Sequence, residues 1–146
     1  MIGLVFDFNE KFELPLGDED ILTGNKAAYD FRRRFMQEEL DEFQRCFEAG
    51  SRVGMFDALL DLSYVIYGTA LFMGVSPDQW TAGMNTIHQC NMKKIRVAKD
   101  STETVGSSKR RSAFDVKKPA GWIGPEENLK SILDYDHMEK GYSDEG

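Results

Sequence analysis

Cysteine is scarce in this chain. There are two, Cys46 and Cys90, among 146 residues. Two thiols make no disulfide framework, and their separation is not that of a zinc site. A reducing cytoplasm is the expected compartment. Proline is scarce too, with four residues, which leaves room for long helices. No apolar run approaches the roughly 20 residues that cross a bilayer, so no membrane association is expected. The start, Met1-Ile2-Gly3-Leu4-Val5-Phe6, lacks a basic region and meets Asp7 at once, unlike a signal peptide. No internal repeat and no linker is evident. One domain over residues 1–146 is expected, with a core over 1–97 and an extension over 98–146.

Acids outnumber bases, 25 to 18, for a net charge of −7. That balance argues against a general nucleic-acid binder. The charge is uneven, however. Lys93 to Lys118 holds nine basic residues against three acids, net +6, so the remainder stands at −13. The segment reads as a solvated basic loop or as an anion-facing flap. Lys109, Arg110 and Lys118 would be its substrate contacts in the second case. An acid site beside a basic flap suits a metal–polyphosphate ligand.

Helical periodicity dominates the first two thirds of the chain. Residues 2–14 predict a short amphipathic helix with Leu4, Val5, Phe8 and Phe12 on one side, ended by Pro15 and Gly17. Thr23 or Asn25 would cap a second helix, which runs to about Ala49 and stops at Gly50. A third spans Val53 to Met73 and is apolar nearly all round, which predicts burial on several sides, a partner subunit included. Ser76-Pro77-Asp78 opens a fourth, to about Val97. Residues 98–124 lose periodicity and predict a mobile basic loop. A short last helix from Pro125 to about Tyr135 follows. The fold class is therefore all-α, an antiparallel helical bundle completed by oligomerisation.

Two acid clusters carry the chemistry. Glu38, Glu39 and Glu42 sit three and four apart on the second helix and form one carboxylate patch. Asp57 and Asp61 are four apart on the third. The short connection at Gly50 predicts antiparallel packing, which would bring the two sets face to face. Asp61 lies in Ala58-Leu59-Leu60-Asp61-Leu62-Ser63-Tyr64-Val65, a stretch that reads as core. A buried carboxylate needs compensation. A hard divalent cation would supply it, as would an arginine from Arg32, Arg33 or Arg34.

With these motifs in view, the chain resembles the MazG-like, all-α NTP pyrophosphohydrolase superfamily. That group includes dimeric dUTPases and phosphoribosyl-ATP pyrophosphohydrolases. Glu38-Glu39-Leu40-Asp41-Glu42 is similar to its E-E-x-x-E motif, and Asp57-Ala58-Leu59-Leu60-Asp61 to its second metal motif. His88-Gln89-Cys90-Asn91-Met92-Lys93-Lys94 resembles the motif ending the core. Phe8-Asn9-Glu10-Lys11-Phe12-Glu13-Leu14-Pro15 and Lys118-Pro119-Ala120-Gly121-Trp122 resemble elements of phage members. One departure stands out: Ala58 occupies the place of an acid three residues before Asp61, and Asp57 is its substitute.

The resemblance implies Mg²⁺, or Mn²⁺ in its place, held by Glu39, Glu42, Asp57 and Asp61. It implies that Glu38 binds a second ion or orients the attacking water. Asn91 and Lys94 would contact the triphosphate or sugar. Asn9 would read the base, where an amide offers both a donor and an acceptor, while Phe12 and Trp122 would stack on it. Trp80 reads as structural. The implied reaction converts a (deoxy)nucleoside triphosphate to monophosphate and pyrophosphate in a homodimer or homotetramer. A purine deoxynucleotide, dGTP or dATP, is the expected substrate, for control of a phage nucleotide pool. Two alternatives stay open: a non-catalytic nucleotide-binding or dimerisation module, and a phosphoribosyl-ATP pyrophosphohydrolase, which the phage-like terminal motifs disfavour.

Overall fold

The computed structural model describes residues 1–16, 24–98, 101–106, 110–111 and 115–143, with the backbone alone at 110–111 and 135–143. Helix α1 covers Ile2–Lys11, α2 Lys26–Glu48, α3 Arg52–Phe72, α4 Pro77–Met92 and α5 Glu126–Ser143. Four two-residue strands lie between α4 and α5: β1 (Ile95–Arg96), β2 (Thr104–Val105), β3 (Arg110–Arg111) and β4 (Val116–Lys117). The all-α class holds. The chain forms two compact units, Met1–Trp80 and Thr81–Gly146, whose boundary falls inside α4.

Local chemistry sets the helix ends of the first unit. The Asn25 side chain accepts from the Ala28 amide at 3.1 Å, so Asn25 is the cap of α2. Ser51 does the same for α3 through the Gly54 amide at 3.0 Å. Between them lies a three-residue turn, Ala49–Ser51, in which Gly50 takes φ +69°, a left-handed conformation that glycine adopts without steric cost. Ser76 and Gln79 cap α4 reciprocally: the Gln79 amide donates to Ser76 Oγ at 3.1 Å, and the Ser76 amide donates to Gln79 Oε1 at 2.8 Å.

Helices α2 and α3 form the principal helix pair, an antiparallel hairpin. Cys46 meets Gly54 near the turn, and Arg32 reaches Val65, Gly68 and Thr69 far from it. The core of this unit gathers at the C-terminal end of α3. Ile2, Val5, Ala70 and Leu71 are buried there, with Phe6, Leu16, Tyr67, Val75 and Trp80 packed on them. Trp80 meets Tyr67 edge-on, ring centroids 5.2 Å apart, and is structural as expected.

Several expectations need correction. Helix α1 buries Ile2, Val5 and Asn9, whereas Leu4, Phe8 and Phe12 are exposed, so its inward face is rotated from the predicted one. Within the single chain helix α3 is not enclosed, with Val53 80%, Phe56 63% and Leu60 52% exposed, and the expected burial against a partner subunit is not tested by one chain. By length and composition alone α3 is long and apolar enough to cross a membrane, a test that a buried core helix also passes. Two aspartates, Asp57 and Asp61, interrupt it.

The second unit holds most of α4, the strands and α5. Strands β1 and β4 pair antiparallel, Ile95 opposite Lys117, as do β2 and β3, Thr104 opposite Arg111. Residues 98–124 therefore contain paired segments that periodicity missed, because two-residue strands are too short to alternate. Gly83 of α4 lies against Leu129 of α5. Helix α5 has 18 residues and is longer than the predicted short helix.

Candidate functional site

Glu38, Glu39 and Glu42 project from the middle of α2, and Asp57 and Asp61 from the facing part of α3. Glu39 reports their meeting. Partial burial raises its carboxyl above the ordinary glutamate value, and the charges of Asp61, Glu42, Glu38 and Asp57 raise it further. Five carboxylates thus share one electrostatic neighbourhood across the hairpin, as the spacing and the short turn predicted.

Asp61 differs from expectation in one respect. It is exposed, so its importance does not rest on burial in a core. The stretch around it reads as core only because α3 carries apolar residues on faces that this chain leaves open. Nor is it neutralised by an arginine: among the described residues no ion pair reaches Asp61. Arg32 turns elsewhere. It is 8% exposed, donates from Nη2 to the Val65 carbonyl at 2.8 Å and from Nε to Thr69 Oγ1 at 3.0 Å, and lies over the Phe72 ring at 4.9 Å. Burial lowers its pKa. Gly68 makes room for it, because a Cβ there would stand 2.6 Å from Nη2.

A cation fits this neighbourhood by donor chemistry. An all-carboxylate set suits a hard divalent ion, and the mutual repulsion felt by Glu39 is what such an ion relieves. As the side chains stand, however, no three acids, histidines or cysteines among the described residues converge to ligate one ion. Glu42 is already engaged. Its Oε2 accepts from Arg45 Nη2 at 2.7 Å, and its other oxygen accepts from the Cys46 thiol at 3.6 Å. The Arg45 hydrogen bond holds the Glu42 carboxyl below its ordinary value. Ligation by Glu42 requires this exposed pair to open.

The other expected contacts fall into three groups. Asn9 is 3% exposed; its side-chain amide donates to the Pro15 carbonyl at 3.5 Å, and its own carbonyl accepts from the Leu14 amide at 2.9 Å. It therefore fastens the end of α1. Phe12 is exposed beside Phe8, centroids 4.7 Å apart, and Lys11 stands 5.3 Å from its ring. In the second unit, Lys94 and Lys118 lie 5.8 and 6.0 Å from the Trp122 ring, a cation–aromatic cluster. Asn91 is exposed near the end of α4. Arg110 lies in β3, and Lys109 lies outside the described residues. Sequence reasoning missed Arg32 as a buried cation. The apolar Phe31, Phe35 and Phe72 around it were the available signal.

No curated protein matches the chain closely enough to name as a relative. A family model does match. Residues 5–89, which include all five carboxylates and the whole hairpin, match the model for phosphoribosyl-ATP pyrophosphohydrolase. With more than half of its length matched and the acid hairpin inside the matched region, the chain belongs to the phosphoribosyl-ATP pyrophosphohydrolase family, within the MazG-like all-α nucleotide pyrophosphohydrolases.

Proposed function

We propose that the chain hydrolyses a (deoxy)nucleoside triphosphate to its monophosphate and pyrophosphate with Mg²⁺, for which Mn²⁺ can substitute. The observation that carries this reading is the shared neighbourhood of Glu38, Glu39, Glu42, Asp57 and Asp61 across α2 and α3. A bound divalent cation supplies charge neutralisation on the triphosphate and a more acidic water. Glu39, Glu42, Asp57 and Asp61 would hold it, Glu42 once its Arg45 pair has opened. Glu38, exposed at the edge of the patch, accepts a proton from the water that attacks the α-phosphorus. The bond from that phosphorus to the bridging oxygen breaks, and pyrophosphate leaves.

The substrate is a purine deoxynucleotide, dGTP or dATP, on the resemblance of the terminal motifs to phage members. The family match favours a second substrate, phosphoribosyl-ATP. Both require cleavage between the α and β phosphates, so the acid hairpin serves either. The exposed apolar side chains of α3, Phe56 and Leu60 among them, are the surface on which a second copy would pack in a homodimer or homotetramer.

One experiment addresses both substrates. Pyrophosphate release is measured over all common NTPs and dNTPs and phosphoribosyl-ATP, with Mg²⁺ and with chelator. Release from a deoxynucleotide that vanishes with chelator and in Asp61→Asn is the expected result. Release from phosphoribosyl-ATP alone selects the second substrate. A wild-type protein silent on the whole panel defeats both.

A further inference from the structure

Along α2 the side chains of Ala27, Asp30, Phe31, Arg34, Phe35 and Glu38 line an open groove of about 530 Å³. That volume lies within the range of small-ligand sites. Its residues recur at three- and four-residue spacing, so they form one stripe of the helix. The stripe ends at Glu38, which is also a member of the acid patch. The groove therefore shares Glu38 with the acid patch.

The chemistry changes along the stripe. Glu38 is the acidic end. One turn back stands Arg34, exposed and, among the described residues, in no ion pair. Two turns back stands Phe31, on the order of 10 Å from Glu38 along the axis at 1.5 Å per residue. A nucleotide has the same sequence of parts over a similar span: phosphates, then sugar, then base. Asp30, which lines the same groove, is engaged by Lys26 at 2.6 Å, and the Arg34 charge also helps lower its carboxyl below the ordinary value.

Phe31 is built as a platform. It stands in the second turn of α2 and is 58% exposed. Its ring is supported on one side by Phe35, centroids 6.0 Å apart at 38°, and by the Arg32 guanidinium at 5.9 Å. Arg32 in turn is fixed by Val65 and Thr69. Part of the ring stays open. An aromatic ring held in place and open to solvent can stack on a base of any identity.

We propose that this groove is the nucleoside-binding arm of the site, with Phe31 as the base-stacking platform and Arg34 as a contact to the phosphate chain. The inference rests on the nucleotide reading above, and its test separates the two. The α,β-imido analogues of dATP and dGTP are titrated with Mg²⁺ into wild type, Phe31→Ala, Phe31→Tyr and Arg34→Ala, each checked for an unchanged circular dichroism spectrum. Inorganic tripolyphosphate, which has no base, is titrated in parallel. Phe31→Ala should weaken analogue binding about tenfold, Phe31→Tyr should restore it, and tripolyphosphate should be unaffected by either. Arg34→Ala should weaken both ligands. Equal affinity of Phe31→Ala and wild type for both analogues overturns the proposal, as does an equal loss for tripolyphosphate. If wild type binds the analogues with this Phe31 dependence but releases no pyrophosphate, the arm stands and the catalytic reading falls.

Discussion

The two ends of the α2–α3 hairpin treat charge in opposite ways. Toward the start of α2, a cation is buried without a carboxylate: Arg32 is met by a carbonyl, a hydroxyl and aromatic rings. At mid-hairpin, five carboxylates gather and, among the described residues, no cation pairs with them apart from the Arg45 that holds Glu42. The obvious economy, one arginine against the aspartates of α3, is not taken. Neutral partners satisfy Arg32 and leave Asp57 and Asp61 available. Burial with neutral partners makes Arg32 a structural element, whereas the crowded carboxylates near the surface are the feature on which the proposed metal site rests.

That contrast can be broken at the acid end first, where the largest effect is expected. Glu39→Gln should reduce pyrophosphate release on the order of a hundredfold or more, by loss of a ligand at the centre of the patch. The same variant should raise the thermal midpoint of the metal-free protein, because it removes repulsion. A variant that is inactive and less stable would show that Glu39 is a packing residue. At the other end, Arg32→Ala should cost about 2–4 kcal/mol in denaturant unfolding, from lost packing and a lost donor to Thr69 and Val65. A cost near zero would remove the buried cation from the account of the fold.

Gly68 sharpens the same end. Gly68→Ala should destabilise wild type by about 1 kcal/mol or more, since its Cβ would meet the guanidinium at 2.6 Å. In an Arg32→Ala background the same change should be neutral or stabilising by up to about 1 kcal/mol, the helix preference for alanine. Additivity of the two would refute the close approach.

The smallest expected effect is in pH. Glu39 has a raised carboxyl in the folded state, so its proton favours the fold. That contribution is present in full below the unfolded-state pKa and is lost as pH rises through the folded one. The thermal midpoint of metal-free wild type should therefore lose ground to Glu39→Gln as pH climbs from the glutamate range to neutrality. Mg²⁺ should restore it. A constant difference between the two proteins across that range would argue against the clustering.

Much of this was legible in the sequence. The helix order, the turn at Gly50, the Asn25 cap and the meeting of the acid clusters all follow from local rules of three- and four-residue spacing and capping. What was not legible depends on neighbours. Asp61 sits in an apolar stretch, and apolarity alone does not say whether a helix face is covered. Asn9 looks like a polar contact on a short helix, yet the fold turns it inward to hold the Pro15 carbonyl. The strand pairs involve two residues on each side, below the length at which any pattern exists. The groove beside Phe31 and Arg34 was written in the spacing back from Glu38, but aromatic residues at that spacing ordinarily mark a core.

The three-residue turn at Gly50 acts as a shared origin of phase for the two acid clusters. Each helix counts its residues outward from that point, and each residue advances the angle by about 100°. Deleting one residue between Glu42 and the turn would swing the whole glutamate set away from Asp57 and Asp61 while leaving all five acids in the chain and both helices helical. The site is thus encoded as a length as much as a composition.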